Sequence, residues 1–131
     1  MTGDAMIGYV TLGTNNKARA EKFYDDLLKE IGGKRFMETD RFTAYSAAAD
    51  KAGIGITVPF DGKPATVGNG TMVALQVDTP QQVTAVYNKA ICLGGKDEGK
   101  PGPRGDSGFY AGYFRDLDGN KLNVFCFVSK T

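Results

Sequence analysis

Tyr9-Val10-Thr11-Leu12, a helix-patterned stretch through Phe23-Tyr24, and the stop Ile31-Gly32-Gly33-Lys34 form a pattern that the chain repeats. The second occurrence reads Met72-Val73-Ala74-Leu75, then Val86-Tyr87, then Leu93-Gly94-Gly95-Lys96. Leu12 and Leu75 are 63 residues apart, as are Tyr24 and Tyr87; the Gly-Gly-Lys triplets are 62 apart, so one residue is lost in the helix or at its end. Identity between the copies is low, but the order strand, helix, glycine stop, strand is kept. Two copies indicate duplication of one supersecondary unit; a solenoid needs three or more.

Each copy reads as βαβββ. In the first, Asn15 or Asn16 can cap a helix from Lys17 to about Ile31, because Ala20, Phe23, Tyr24, Leu27, Leu28 and Ile31 recur at helical spacing. Gly32 and Gly33 supply a left-handed stop. Residues 35–38 and 41–46 read as a hairpin turning at Thr39-Asp40, and residues 53–58 as a further strand ended by Pro59. The Gly- and Pro-rich residues 60–70 read as a linker. In the second copy, residues 71–77 form the first strand, and Thr79-Pro80-Gln81-Gln82 is a capping box with proline at the first helical position. The helix should reach about Leu93. Residues 99–108 read as a long loop, and residues 109–115 and 121–128 as a hairpin around Asp118-Gly119-Asn120.

The expected fold class is therefore α+β: a single domain over residues 1–131, with a first βαβββ module at 6–59, a linker at 60–70 and a second module at 71–129. Packed side by side, two such modules would curve into a cupped mixed sheet around a concavity, where pockets tend to lie. The chain has 131 residues, 41% hydrophobic and 24% charged, enough to bury roughly two thirds of its unfolded surface. Sixteen Lys and Arg against fifteen Asp and Glu leave a net charge of +1. That balance makes no electrostatic case for nucleic acid or an anionic membrane. No apolar run has transmembrane length and no signal peptide is evident, so a cytoplasmic location is expected. Cys92 and Cys126 do not make a disulfide framework. The sequence contains no histidine, which excludes Ser-His-Asp and Cys-His nucleophile systems and every His-ligated metal site.

These features resemble the vicinal-oxygen-chelate superfamily, also known as the glyoxalase, bleomycin-resistance and extradiol-dioxygenase family. The resemblance spans residues 7–128. It is most specific at Phe23-Tyr24 and at Tyr113-Phe114-Arg115-Asp116-Leu117-Asp118-Gly119-Asn120-Lys121-Leu122, with support from the segment Pro59 to Ala65 and from Gly68-Asn69-Gly70. It implies the fold just described. Many small relatives pair as dimers, so a homodimer is expected.

Metal-dependent members usually take ligands from four strands: His with Glu or Gln in the first module, His and Glu in the second. Carried onto this chain, the two His positions fall on Tyr9 and Met72, the final Glu on Asn123, and the remaining one near Ile56. A phenol, a thioether, a neutral amide and an alkyl group do not hold a hard or borderline divalent ion tightly. The resemblance therefore implies a member without the family metal and with no cofactor. Tyr113 stands ten residues before Asn123, where extradiol dioxygenases carry a catalytic tyrosine.

Strand parity groups Phe109, Ala111, Tyr113 and Arg115 on one face, and Lys121, Asn123, Phe125 and Phe127 on one face of the next strand. The candidate ligand-binding residues are Tyr9, Ile56, Met72, Tyr113, Arg115 and Asn123. Each has a plainer alternative. Tyr113 can be a half-buried strand aromatic. Tyr9 and Met72 can simply fill the old metal centre. Arg115 can pair with Asp116 or Asp118. A buried Asn123 amide would need partners from a neighbour or a ligand. The leading expectation is metal-free binding of a small molecule. A metal-independent lyase or isomerase using Tyr113 and a carboxylate such as Glu38 is an alternative, as is an interaction module without a ligand.

Asp116-x-Asp118-x-Asn120 mimics the start of a calcium loop, but its twelfth position is Phe127, so a turn is expected. Arg104-Gly105-Asp106 is expected to be an ordinary loop.

Overall fold

The computed structural model describes residues 6–129, and the chain divides into two compact units, Met1–Thr66 and Val67–Thr131. The first contains β1 (Tyr9–Gly13), α1 (Lys17–Lys29), β2 (Lys34–Glu38), β3 (Phe42–Ser46) and β4 (Gly53–Thr57). The second contains β5 (Val73–Gln76), α2 (Pro80–Cys92), β6 (Lys96–Pro103), β7 (Phe109–Arg115) and β8 (Lys121–Phe127). Each unit is a βαβββ module with a four-stranded mixed sheet, ordered β1-β4-β3-β2 and β5-β8-β7-β6. The first strand of each runs parallel to the last, and the other pairs are antiparallel.

The helix ends follow from local chemistry. Asn16, not Asn15, caps α1, accepting from the Arg19 N–H. Asn15 instead brackets Ala65, donating to its carbonyl at 3.2 Å and accepting from its N–H at 2.6 Å. The Thr79–Gln82 capping box is fully formed. At both helix C-termini the first glycine of the Gly-Gly pair has positive φ, 77° at Gly32 and 102° at Gly94. The second glycine answers a different demand. A Cβ on Gly33 would stand 2.8 Å from the Leu28 side chain, and one on Gly95 would stand 2.7 Å from the Ala90 carbonyl oxygen. The repeated triplet is thus a turn followed by a close approach of strand to helix.

In the first unit, Leu12, Ile54, Ile56, Thr43 and Tyr45 share the sheet face turned to α1, whose Ala20, Phe23, Tyr24, Leu27 and Leu28 are buried. The polar rim of that seam is a network. Arg35 grips Asp25 with two bonds of 2.8 and 2.7 Å and Glu38 with one of 2.8 Å. Thr43 donates to Glu21 at 2.6 Å and Tyr45 to Asp25 at 2.8 Å. In the second unit, Val83, Val86, Tyr87 and Ala90 of α2 pack over Leu75, Phe114, Leu122, Val124 and Cys126. The Tyr87 hydroxyl donates to Asp97 at 2.6 Å.

The expectation of a loop beginning at residue 99 requires correction. β6 continues through Pro103, pairing Gly99 with Tyr113 and Gly102 with Ala111, with register shifts on both sides of Gly99. Its glycines and prolines carry no strand signal, and they are accommodated because β6 is an edge strand whose bulges absorb them. Asp116 organises the β7–β8 turn as expected. Its Oδ1 accepts from the N–H groups of Asp118 and Asn120, each at 2.9 Å.

Candidate functional site

Tyr113 and Asn123 are direct cross-strand partners on β7 and β8, and Ala74 of β5 lies opposite Asn123 on its other side. Residues paired this way project from the same sheet face. Neighbouring rungs add Arg115 with Lys121, Ala111 with Phe125, and Phe109 with Phe127. This face is the one turned away from α2, since Phe114, Leu122 and Val124 occupy the other and are fully buried.

Asn123 is 2% exposed, and its Oδ1 has no hydrogen-bond partner. No other described, buried side-chain N or O is left in that state. Beside it, the Arg104 guanidinium carbon lies 5.4 Å from the centre of the Tyr113 ring and Lys121 Nζ lies 5.6 Å from it. Both are within cation–π range. Arg104 is tied down by carbonyl oxygens, Gly102 at 2.8 Å and Lys100 at 2.7 Å. Arg115 pairs with Glu98 at 3.4 Å and donates to the Gly119 carbonyl at 3.1 Å. Further along the face, Phe109, Phe125 and Phe127 form a three-ring cluster with centroids 5.5 to 5.8 Å apart.

The second unit thus brings Tyr113, Asn123 and Arg115 together on one face, with Met72 one residue before β5 and 40% exposed. Tyr9 belongs to the first unit, where it is 61% exposed and meets Phe42 edge-on at 6.3 Å. Ile56 does not lie on a comparable face. Its register partner is Thr43, whose hydroxyl reaches Glu21 of α1, and Ile56 itself is 1% exposed in the helix-facing core. The reason is one residue of register. Val10 pairs with Ile54 and its repeat partner Val73 pairs with Leu122, so Asn123 corresponds to Gly55, and Ile56 to Val124. A one-residue offset turns a strand side chain to the opposite face. Ile56 therefore lies outside any face of this kind, in the helix-facing core of the first unit. Glu38, the carboxylate considered for acid–base work, is an exposed partner of Arg35 in the first unit.

Arg104 and Lys121 join Tyr113 on this face although the sequence motifs do not single them out as ligand-binding residues. Lys121 was legible, because parity already placed it beside Asn123. Arg104 gave no signal, since its approach to Tyr113 depends on the fold of the β6–β7 connection.

The positions that the resemblance assigns to metal ligands, Tyr9, Met72, Asn123 and the one near Ile56, carry a phenol, a thioether, an amide and either an alkyl group or, at Gly55, no side chain. Among the described residues no group of three or more His, Cys, Asp or Glu side chains gathers as metal ligands would. This donor set does not fit a hard or borderline divalent ion.

The helix–sheet seams displace the titration of their own groups. Arg35 beside Asp25 holds that carboxyl below its usual range, and the Lys17 hydrogen bond does the same for Glu21. Burial, with the Asp97 hydrogen bond, pushes the Tyr87 phenol up to about 12. These are fastenings of helix to sheet rather than a reactive cluster. Among the described residues, no helix is long and apolar enough to cross a membrane.

The family model of the Glyoxalase/Bleomycin resistance protein/Dioxygenase superfamily matches residues 6–124. The crystal structure of a glyoxalase/bleomycin resistance protein from Albidiferax ferrireducens T118 is similar over 95% of this chain and 100% of that one, with 33% identity and a TM-score of 0.86. A glyoxalase/bleomycin resistance protein/dioxygenase family enzyme from Burkholderia phytofirmans PsJN shares the fold at 16% identity and a TM-score of 0.74, over 95% of this chain and 100% of that one. So does the fosfomycin resistance protein FosX from Listeria monocytogenes, at 14% identity and a TM-score of 0.70, over 95% of this chain and 94% of that one. No curated protein matches the chain. With nearly its whole length matched by the family model and its two βαβββ modules in place, this chain belongs to the Glyoxalase/Bleomycin resistance protein/Dioxygenase superfamily.

Proposed function

We propose that the chain binds a small molecule on the second unit's sheet face, at Tyr113 and Asn123, without a metal ion. The observation that carries this reading is the buried Asn123 carbonyl with no partner. An unsatisfied buried acceptor costs about 1–3 kcal/mol. An alkyl side chain of similar volume would avoid that cost. A ligand carrying a donor would offset it by completing the hydrogen bond. The aromatic and cationic side chains around it supply the rest of a recognition surface. Antibiotic names attached to its relatives, bleomycin and fosfomycin, agree with a scaffold suited to small molecules. Metal independence rests on the donor chemistry at the ligand positions. A homodimer belongs to the same reading, and sedimentation equilibrium measures it.

The test is a small-fragment panel observed by NMR on the wild type and on Asn123→Leu, together with metal analysis of the purified protein. Fragments that perturb residues around Tyr113 in the wild type and not in the variant support the proposal. One tight divalent ion per chain, lost on substituting Asn123, overturns the metal-free reading.

A further inference from the structure

We infer that the ligand of this face is a small planar anion that also carries a hydrogen-bond donor, an inference that rests on the face being the binding site. Three independent features specify the three parts of that description.

The charge comes from Lys121 and Arg104. Both stand within 6 Å of the centre of one ring, Tyr113. Among the described residues neither has a carboxylate partner, whereas Arg115, the ladder partner of Lys121, is paired with Glu98. Arg104 is held by the carbonyl oxygens of Lys100, Gly102 and Pro103. It is fixed in place without a counter-charge, and a guanidinium has five N–H donors, so donors remain for a bound anion. In a chain of net charge +1, two unneutralised cations at one ring are a local attraction for negative charge. A guanidinium fixed by carbonyl oxygens and an ammonium over the same ring together suit a carboxylate.

The donor comes from Asn123. Its orphan Oδ1 accepts only, and so calls for an O–H or N–H on the ligand. The planar body comes from Phe125 and Phe127, two and four residues along β8 from Asn123, clustered with Phe109 of β7, which offer ring faces and edges to a flat apolar group.

The experiment is calorimetric titration of the full chain with 4-hydroxybenzoate, benzoate and 4-hydroxybenzyl alcohol. The three share a ring and differ in charge and donor. The expected order is 4-hydroxybenzoate tightest, with affinity weakened about tenfold or more by removing the charge from the ligand or by Lys121→Gln, the scale of one ion contact. The affinity should fall with added salt. Asn123→Leu should bring 4-hydroxybenzoate down to the level of benzoate. Arg104→Gln is a second charge variant, and Lys121→Gln is decisive if that loop rearranges. If the neutral alcohol binds as tightly as the acid and loses affinity in Asn123→Leu, the anion assignment is overturned while the site stands. If no probe binds at about 10 mM, tenfold above the millimolar range, the planar-anion class is overturned, and the fragment panel judges the site separately.

Discussion

Tyr113 and Asn123 sit directly opposite each other in the β7–β8 ladder, yet the amide's Oδ1 takes no hydrogen bond from the phenol or from any other described group. A neighbour able to donate is present one strand away, and the acceptor is nonetheless left open. That pairing distinguishes this face from the helix-facing one, where the polar groups named above are bonded.

The first prediction concerns Asn123. If the open acceptor is kept for binding, Asn123→Leu should raise the stability of the free protein by about 1–2 kcal/mol, the cost of an unmade buried bond. The thermal midpoint should rise by about 3–8 °C. Calorimetric melting checks this, and a lower midpoint in the variant would show that Asn123 is a structural fastening.

A second prediction follows from Asp25 and Glu21. Their folded carboxyls titrate below their ordinary range because Arg35 and Lys17 bond them. A depressed folded pKa contributes stability that is present above the unfolded value, about 4, and is lost as the pH falls through the folded one. Arg35→Met should lower stability at neutral pH, and the gap from wild type should narrow below pH 4. Urea denaturation between pH 2 and 7 measures both limbs; a gap constant with pH would refute the linkage.

At the alkaline end the sign reverses. Tyr87 is pushed up to about 12 by burial first and its bond to Asp97 second. Its unfolded value is about 10, so the neutral phenol favours the fold. That contribution is complete below pH 10 and is lost as the pH rises through 12. Tyr87→Phe should remove this part of the alkaline slope. Ultraviolet titration of wild type and variant should show one phenol fewer ionising late.

The two glycines of the second stop should respond differently. Gly95→Ala places a Cβ 2.7 and 2.8 Å from the carbonyl oxygens of Ala90 and Arg115, an overpacking that costs about 1–3 kcal/mol or more. Gly94→Ala meets Leu117 only at 3.2 Å but must hold φ near 102°, a strain of about 1–2 kcal/mol. Thermal melts of the two single variants compare them. Equal tolerance of both by the wild-type fold would refute the division of roles.

Much of the architecture was legible because it is locally encoded. The Thr79–Gln82 box, the Gly-Gly-Lys stops and the Phe23-Tyr24 and Val86-Tyr87 helix faces act within one or two turns of chain. The alternation in residues 109–115 and 121–127 sorted Tyr113, Asn123 and Lys121 to their face before any pairing was known. β6 is not legible beyond residue 98 because glycine and proline hide a strand whose bonds come from its neighbour β7.

The sequence by itself determined the duplicated βαβββ unit, the helix limits and the absence of imidazole chemistry, since repeats, caps, alternation and composition are properties of the chain alone. Tertiary structure decided which residues meet. It made Gly55 rather than Ile56 the repeat counterpart of Asn123, folded Arg104 onto Tyr113, and left the buried Asn123 carbonyl without a partner. Register and loop closure are contacts between distant segments, and a shift of one residue there exchanges the two faces of a strand.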